Sequence, residues 1–133
     1  MKQHAARVAA LLVACAVTGC AAAPPSSNTL SPPGEITLQA GAQAVLPGQA
    51  TLRYLGVSND SRCPPQVQCI QAGDADVGFQ YEADGQRVDV TLNTARATTR
   101  AIGPWSLHLL RLAHGPAPAV TVRIDDQPGR VPP

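Results

Sequence analysis

The chain has 133 residues and a formal net charge of +1 at pH 7, and 14% of its residues are charged. This length is typical of one domain. The nearly balanced charge creates no basic field of the kind that attracts nucleic acid, so we expect no nucleic-acid partner.

The first nineteen residues show the three-part pattern of an export signal. Basic residues precede an apolar run from Val8 to Val17, which at about ten residues is too short for a bilayer that needs roughly 20. Next comes Val17-Thr18-Gly19-Cys20, which resembles the lipobox of bacterial lipoproteins. The resemblance implies a signal peptide over residues 1–19 and acylation of Cys20. An ordinary secretory signal, cut near Ala21 to Ala23, is the alternative.

The same resemblance implies a location. Several acyl chains on one cysteine make a stable membrane anchor, and Ala21 stands after the cysteine in place of Asp, which favours the outer membrane. We therefore expect an exported monomer anchored through Cys20 and facing the periplasm, with an unknown envelope protein as a further partner.

The cysteines predict one disulfide. Cys15 leaves with the signal and Cys20 takes lipid, so only Cys63 and Cys69 remain of the four. An exported protein meets oxidising conditions in which disulfides persist. We expect these two cysteines to pair.

The mature chain divides into three parts. Residues 20–34 are rich in Pro, Ser and Ala and are expected to form a flexible tether. Residues 35–126 are expected to form the folded domain. Residues 127–133 resemble the tether in composition and are expected to fray.

Apolar residues alternate with polar ones through the middle of the chain, as in half-buried antiparallel strands. Asp84-Gly85 separates two such runs and supplies the positive φ angles that a tight hairpin needs. A bulge near Leu109–Leu110 would restore the alternation of one strand, and Trp105 is placed in the core. Strands are expected at residues 36–39, 43–46, 49–57, 74–82, 88–92, 105–112 and 120–124.

About seven short strands of this kind predict an all-β fold, a single antiparallel β-sandwich of immunoglobulin-like architecture. The main alternative is an eight-stranded open barrel.

The most individual stretch runs from Asn59 to Val77. It contains Asp60-Ser61-Arg62-Cys63-Pro64, then Cys69-Ile70-Gln71-Ala72-Gly73. This stretch resembles a motif of small exported bacterial proteins with no assigned activity: Asp-Ser-Arg-Cys-Pro, a second Cys, then Ile or Val, Trp, Ala and Gly. Gln71 stands where that group usually has Trp, which weakens any binding face that the tryptophan forms.

The residues themselves favour a structural staple that joins two strands. Asp60 and Ser61 can set a turn, Arg62 can pair with Asp60 or with carbonyls of the loop, and Gly73 lets the chain turn back. Closing the short Cys63–Cys69 loop removes roughly 2 to 2.5 kcal/mol of unfolded-state entropy.

Two functional alternatives stay open for this stretch. Gln66, Val67 and Gln68 form a candidate interaction loop, and their proline-flanked ring is similar to the reactive loops of small protease inhibitors. A second inhibitory loop would contain Gly103-Pro104-Trp105. The other alternative is a cation-binding module, with carboxylates from Asp60, Asp74 and Asp76 as ligands.

Other chemistry has little support in the sequence. His108 and His114 are the histidines of the mature chain, and they lack the companions that copper or zinc usually requires. No Gly-x-Ser-x-Gly nucleophile elbow is present. We expect a non-catalytic envelope lipoprotein with no cofactor, no metal and no catalytic residues.

Overall fold

The computed structural model describes residues 19–20 and 27–128. The predicted signal peptide, apart from Gly19, and the end of the predicted tail lie outside the described residues. Within them, the fold contains nine strands and one 3₁₀ turn, Pro47–Gln49. The predicted all-β class is confirmed. The strands are β1 Ser27–Thr29, β2 Gly34–Leu38, β3 Gln43–Val45, β4 Thr51–Ser58, β5 Asp76–Ala83, β6 Gln86–Asn93, β7 Thr99–Ile102, β8 Trp105–Leu112 and β9 Val120–Asp126.

The strands form two separate sheets, which fits the predicted sandwich and not the open barrel. The first sheet has the order β1-β3-β4-β5-β6 and the second has the order β2-β9-β8-β7. All pairs are antiparallel except β1 and β3. Buried side chains from both sheets form one hydrophobic core.

The alternation of side chains explains how each strand contributes to that core. In β5, Val77, Phe79 and Tyr81 are buried as predicted, because successive side chains of a strand point to opposite faces. In β6, Val90 is buried, whereas Val88 is 53% exposed. Val88 lies on the same face of β6 as Val90, but β6 is at the free edge of the first sheet, and there this face lines an open cleft.

Local signals placed the turns correctly. Asp84 and Gly85 have φ angles of 52° and 72° and connect β5 to β6. The register of β8 against β9 shifts between Leu109 and Arg111, which confirms the predicted bulge. The strand expected from residue 49 begins at Thr51 instead, because the 3₁₀ turn Pro47–Gln49 precedes it.

The predicted boundary between tether and domain differs from the structure. β1 lies inside the expected tether and pairs with β3. Leu30 is buried in the core, and its N–H donates to the Val45 carbonyl at 2.9 Å. Within the described residues, the strands of the domain therefore begin at Ser27, before the predicted boundary at residue 35. The sequence pattern predicted neither β1 nor β7. With these two strands the fold has nine strands instead of the expected seven.

The opposite boundary is closer to the expectation. Gln127 is the first residue of the predicted tail, and its N–H donates to the Pro104 carbonyl at 3.2 Å. Its side-chain amide donates to the Trp105 carbonyl at 2.9 Å. The chain is thus held to the domain for one residue beyond β9.

Trp105 supplies a test of this core. Its side chain is 8% exposed and meets the Tyr81 ring edge-to-face, with centroids 6.4 Å apart. We predict that Trp105→Ala lowers the free energy of unfolding by about 3 kcal/mol or more, as expected for an aromatic truncation in a packed site. Urea denaturation followed by far-UV circular dichroism measures the loss. A loss below about 1 kcal/mol would contradict the placement, because exposed positions tolerate substitution.

Candidate functional site

The loop that joins β4 to β5 carries the predicted disulfide. Cys63 and Cys69 are bonded, with their Cα atoms 5.9 Å apart. Both cysteines lie within this loop and neither belongs to a strand. The staple interpretation is corrected in one respect: the bridge closes a ring inside the connection and does not join two core strands.

Arg62 fastens the base of this loop to the second sheet. Its side chain is 12% exposed, and Nη1 donates to the Leu112 carbonyl at 2.8 Å. Nη2 donates to the Ala113 carbonyl at 2.8 Å. These two carbonyls stand at the end of β8, so the guanidinium crosses from one sheet to the other. The sequence had suggested carbonyls of the loop itself as partners.

The opposite side of the guanidinium holds a carboxylate. Arg62 Nε donates to Asp60 Oδ1 at 2.9 Å and Nη2 donates to Oδ2 at 2.7 Å, the two-pronged geometry that suits arginine and carboxylate. Hydrogen bonding by Arg62 lowers the pKa of Asp60. The stabilising effect of the carboxylate is therefore complete above its ordinary pKa and is lost as the pH falls through the lowered value.

The two arms of the loop are joined beside this pair. The Ser61 N–H donates to the Asp74 carbonyl at 2.8 Å, and the Asp74 N–H donates to Ser61 Oγ at 3.1 Å. A side chain at Gly73 would overlap the Ser61 carbonyl, which explains the glycine. The loop base is thus fixed by hydrogen bonds that do not involve the disulfide.

The tip of the loop is free of such contacts with the core. The Val67 N–H donates to the Pro64 carbonyl at 3.1 Å, which closes a turn. Val67 is 56% exposed and Ile70 is fully exposed. The predicted interaction residues Gln66 and Gln68 are exposed beside Val67. Their turn is not the extended segment that the inhibitor hypothesis requires.

The second candidate inhibitory loop is a short turn between two strands. Gly103 and Pro104 form the connection between β7 and β8. Gly103 has a φ angle of 53°, and a side chain there would collide with the Tyr81 hydroxyl. Because Trp105 is buried, this turn is packed against the domain and presents no indole to a partner.

The three carboxylates of the cation hypothesis have different partners. Asp60 is held by the arginine described above, and Asp74 Oδ2 lies 2.8 Å from Arg96 Nε. Asp76 Oδ1 accepts from Asn93 Nδ2 at 2.8 Å, and hydrogen bonds from asparagine side chains lower the pKa of Asp76. Among residues 19–20 and 27–128, no group of three His, Cys, Asp or Glu side chains is arranged to hold a metal ion.

His108 and His114, the two histidines among residues 19–20 and 27–128, lie in separate environments. His108 Nδ1 lies 3.0 Å from Thr99 Oγ1, and Nε2 lies 3.4 Å from Asp125 Oδ2. These contacts place His108 on the outer face of the second sheet. His114 lies in the connection from β8 to β9. The pKa of Asp60 is lowered mainly by the hydrogen bond from Arg62, and His114 has a smaller effect in the same direction.

Sequence reasoning missed a cleft at the other end of the sandwich. It encloses about 680 Å³ between the β5–β6 hairpin and the β7–β8 turn. Tyr81, Val88, Ile102 and Pro104 are among its lining residues. The signal for it was weak, because it depends on the short strand β7, which the alternation pattern did not reveal.

Comparison with known proteins adds no relative: no family model, no curated protein and no solved structure matches this chain. In the described part of the chain, no helix is long and apolar enough to cross a membrane. The function is therefore argued from the residues of this chain.

Arg62 and Arg87 form a matched pair for testing the loop base. Arg87 pairs with Glu82 at 3.0 Å, but the two side chains are 62% and 44% exposed. We predict that Arg62→Met lowers the free energy of unfolding by about 2 to 4 kcal/mol, because the substitution leaves two carbonyls and a carboxylate without their hydrogen-bond donor. Arg87→Met should change it by less than about 1 kcal/mol. Urea unfolding of both variants makes the comparison, and equal losses would show that Arg62 is an ordinary surface arginine.

Proposed function

We propose that the chain is a lipid-anchored protein of the cell envelope, held in the outer membrane and facing the periplasm, whose β-domain is non-catalytic. Its contact surface is the tip of the Cys63–Cys69 loop. Lipid at Cys20 places the domain at a membrane surface, and the loop makes the specific contact there.

The cysteines support the anchor. Cys20 follows the lipobox-like sequence, and it is exposed and makes no disulfide. Cys63 and Cys69 pair with each other, so the one other cysteine, Cys15, lies inside the predicted signal. Cys20 is thus the mature cysteine that is free to accept acyl chains.

The contrast between the base and the tip of the loop carries the proposal. Arg62 holds the base to the end of β8 in the second sheet, and Ser61 joins the two arms of the base through hydrogen bonds to Asp74. The tip exposes the apolar side chains of Val67 and Ile70 to solvent. Their exposure does not contribute to the stability of the core. A loop that is already ordered loses little conformational entropy when it binds, so this arrangement suits recognition.

The ionisable groups near the loop favour a non-catalytic role. Asp60 is paired with Arg62 and Asp74 with Arg96. These pairs serve the geometry of the loop. A general acid or base instead needs a pKa near the working pH and an open side facing a substrate.

Replacing the anchor residue tests the proposed location. Cys20→Ser removes the thiol that accepts lipid, so we predict that the protein is released from membranes or remains an unprocessed precursor. Cys15→Ser is the matched control, because that cysteine lies in the predicted signal and should leave anchoring unchanged. Fractionation with a carbonate wash, followed by intact mass measurement, distinguishes the outcomes. A Cys20→Ser variant that is processed and stays in the washed membranes would refute the anchor.

A further inference from the structure

The strand β6 is a long, unblocked edge of the first sheet. It stands last in the order β1-β3-β4-β5-β6 and has eight residues, Gln86–Asn93. The other edge strands of the two described sheets, β1, β2 and β7, have three to five residues. Proteins commonly protect a sheet edge with short strands, proline, lysine or a bulge. β6 contains no proline or lysine, and its register with β5 is continuous, so its outer backbone groups are open to pairing.

Alternate residues of β6 direct their backbone groups toward this open edge. Asn93 is paired with β5 on one side and bridged to Ala97 on the other, and its N–H donates to the Ala97 carbonyl at 2.9 Å. The N–H and C=O groups of a strand change direction from one residue to the next. Arg87, Asp89 and Thr91 therefore point their backbone groups away from β5, toward any strand that joins the sheet.

Two of these residues form a charge pattern that is complementary to itself. Arg87 and Asp89 are both exposed on the outer face of β6, separated by Val88 on the other face. If two β6 strands pair antiparallel about a two-fold axis at Val88, Arg87 of each copy lies opposite Asp89 of the other. Because both residues direct their backbone groups outward, these pairs exchange backbone hydrogen bonds as well as opposite charges.

We propose that two copies of the chain associate through β6, in an antiparallel register centred on Val88, and so join their five-stranded first sheets into one continuous sheet. The paired segment is Gln86–Val90 in each copy, and because it is short the association is reversible. This inference goes beyond the proposed function and does not depend on the lipid anchor. It differs from the monomer expected from the sequence, whose alternation does not show which strand forms a sheet edge.

The neighbouring strand β5 extends the charge pattern. Arg87 Nη2 lies 3.0 Å from Glu82 Oε2, and Asp89 Oδ1 accepts from Gln80 Nε2 at 3.2 Å. In the paired sheet, Arg87 lies between Glu82 of its own copy and Asp89 of the second copy. Each Asp89 likewise lies between two hydrogen-bond donors. Opposite charges on facing strands stabilise a sheet, whereas like charges destabilise it, so this register is favoured over one that places Asp89 opposite itself.

The inner face of β6 gives the pair an apolar contact. Val88 is 53% exposed, although Val90 on the same face is buried. On the two-fold axis, Val88 of each copy lies directly opposite its counterpart in a non-hydrogen-bonded pair, where facing side chains are closest. The contact covers apolar surface that each domain exposes at its cleft. A second copy thus satisfies the free backbone groups, the charges and the exposed valine together.

Cysteine cross-linking of the full-length chain in intact cells tests this arrangement. Facing residues of a non-hydrogen-bonded pair have Cα atoms about 4.5 Å apart, a separation at which a disulfide can form. We expect Val88→Cys to give a disulfide-linked dimer on mild oxidation, which reductant cleaves. Leu55→Cys is the matched control, because Leu55 is also apolar, 49% exposed and in the first sheet, and it should stay monomeric.

A charge reversal distinguishes the proposed register from chance collision. Asp89→Arg, added to Val88→Cys, places like charges opposite each other at two symmetry-related positions, so the cross-linking rate should fall about tenfold or more. Adding Arg87→Asp as well should restore the rate, because the charges are then exchanged and again complementary.

Three results would overturn the proposal. They are a Val88→Cys chain that stays monomeric or links to a different protein, a rate that Asp89→Arg leaves unchanged, and a rate that the charge exchange does not restore. If Val88→Cys disturbs the melting curve, sedimentation equilibrium of the detergent-extracted protein without the added cysteine makes the same comparison. Self-association should then be present in the native chain, weakened by Asp89→Arg and recovered on adding Arg87→Asp, and a native chain that stays monomeric at every concentration would refute the pairing.

Discussion

The Arg62 guanidinium joins parts of the chain that are fifty residues apart, and the geometry of the loop depends on it. It donates to the Leu112 and Ala113 carbonyls on one side and to the Asp60 carboxylate on the other. Removing a charged group from water is costly unless its hydrogen bonds are replaced. Here the carboxylate and both carbonyls replace them, so a largely buried arginine stabilises the connection between the two sheets.

This arrangement separates two roles that the sequence had assigned to one feature. Arg62 and Ser61 fix how the chain leaves β4 and enters β5. The Cys63–Cys69 ring lies beyond them and shapes a tip that the core does not cover. A fixed base and an exposed apolar tip are the combination that a contact surface requires, which is why the proposed function is assigned to the tip.

Much of the fold could be predicted because local signals determine it. Strict alternation located β5 and β9, and Asp84-Gly85 located the hairpin between β5 and β6. β1 and β7 were missed, since strands of three and four residues depend on their neighbours and carry no pattern of their own. Val88 shows a related limit of the pattern: alternation identifies a face of a strand but not the sheet edge where that face is left uncovered.

The site was only partly visible in the sequence. The pairing of Cys63 with Cys69 and the contact of Arg62 with Asp60 involve residues close along the chain. The carbonyls that receive Arg62 lie at the end of a strand in the other sheet, and no local pattern indicates such a partner. Likewise, the pairing of β1 with β3 at the edge of the first sheet depends on the order of the strands, which the sequence does not reveal.

The most direct test of this account is the melting temperature of a Cys63→Ser, Cys69→Ser double variant. The account predicts a small shift, because without the bridge the tip gains freedom in the folded state as well as in the unfolded state. The base, held by Arg62, keeps the strands in place. A bridge that stapled two core strands would contribute about 2 kcal/mol, and its loss would lower the melting temperature by roughly 8 to 16 °C. A decrease of that size would contradict the account.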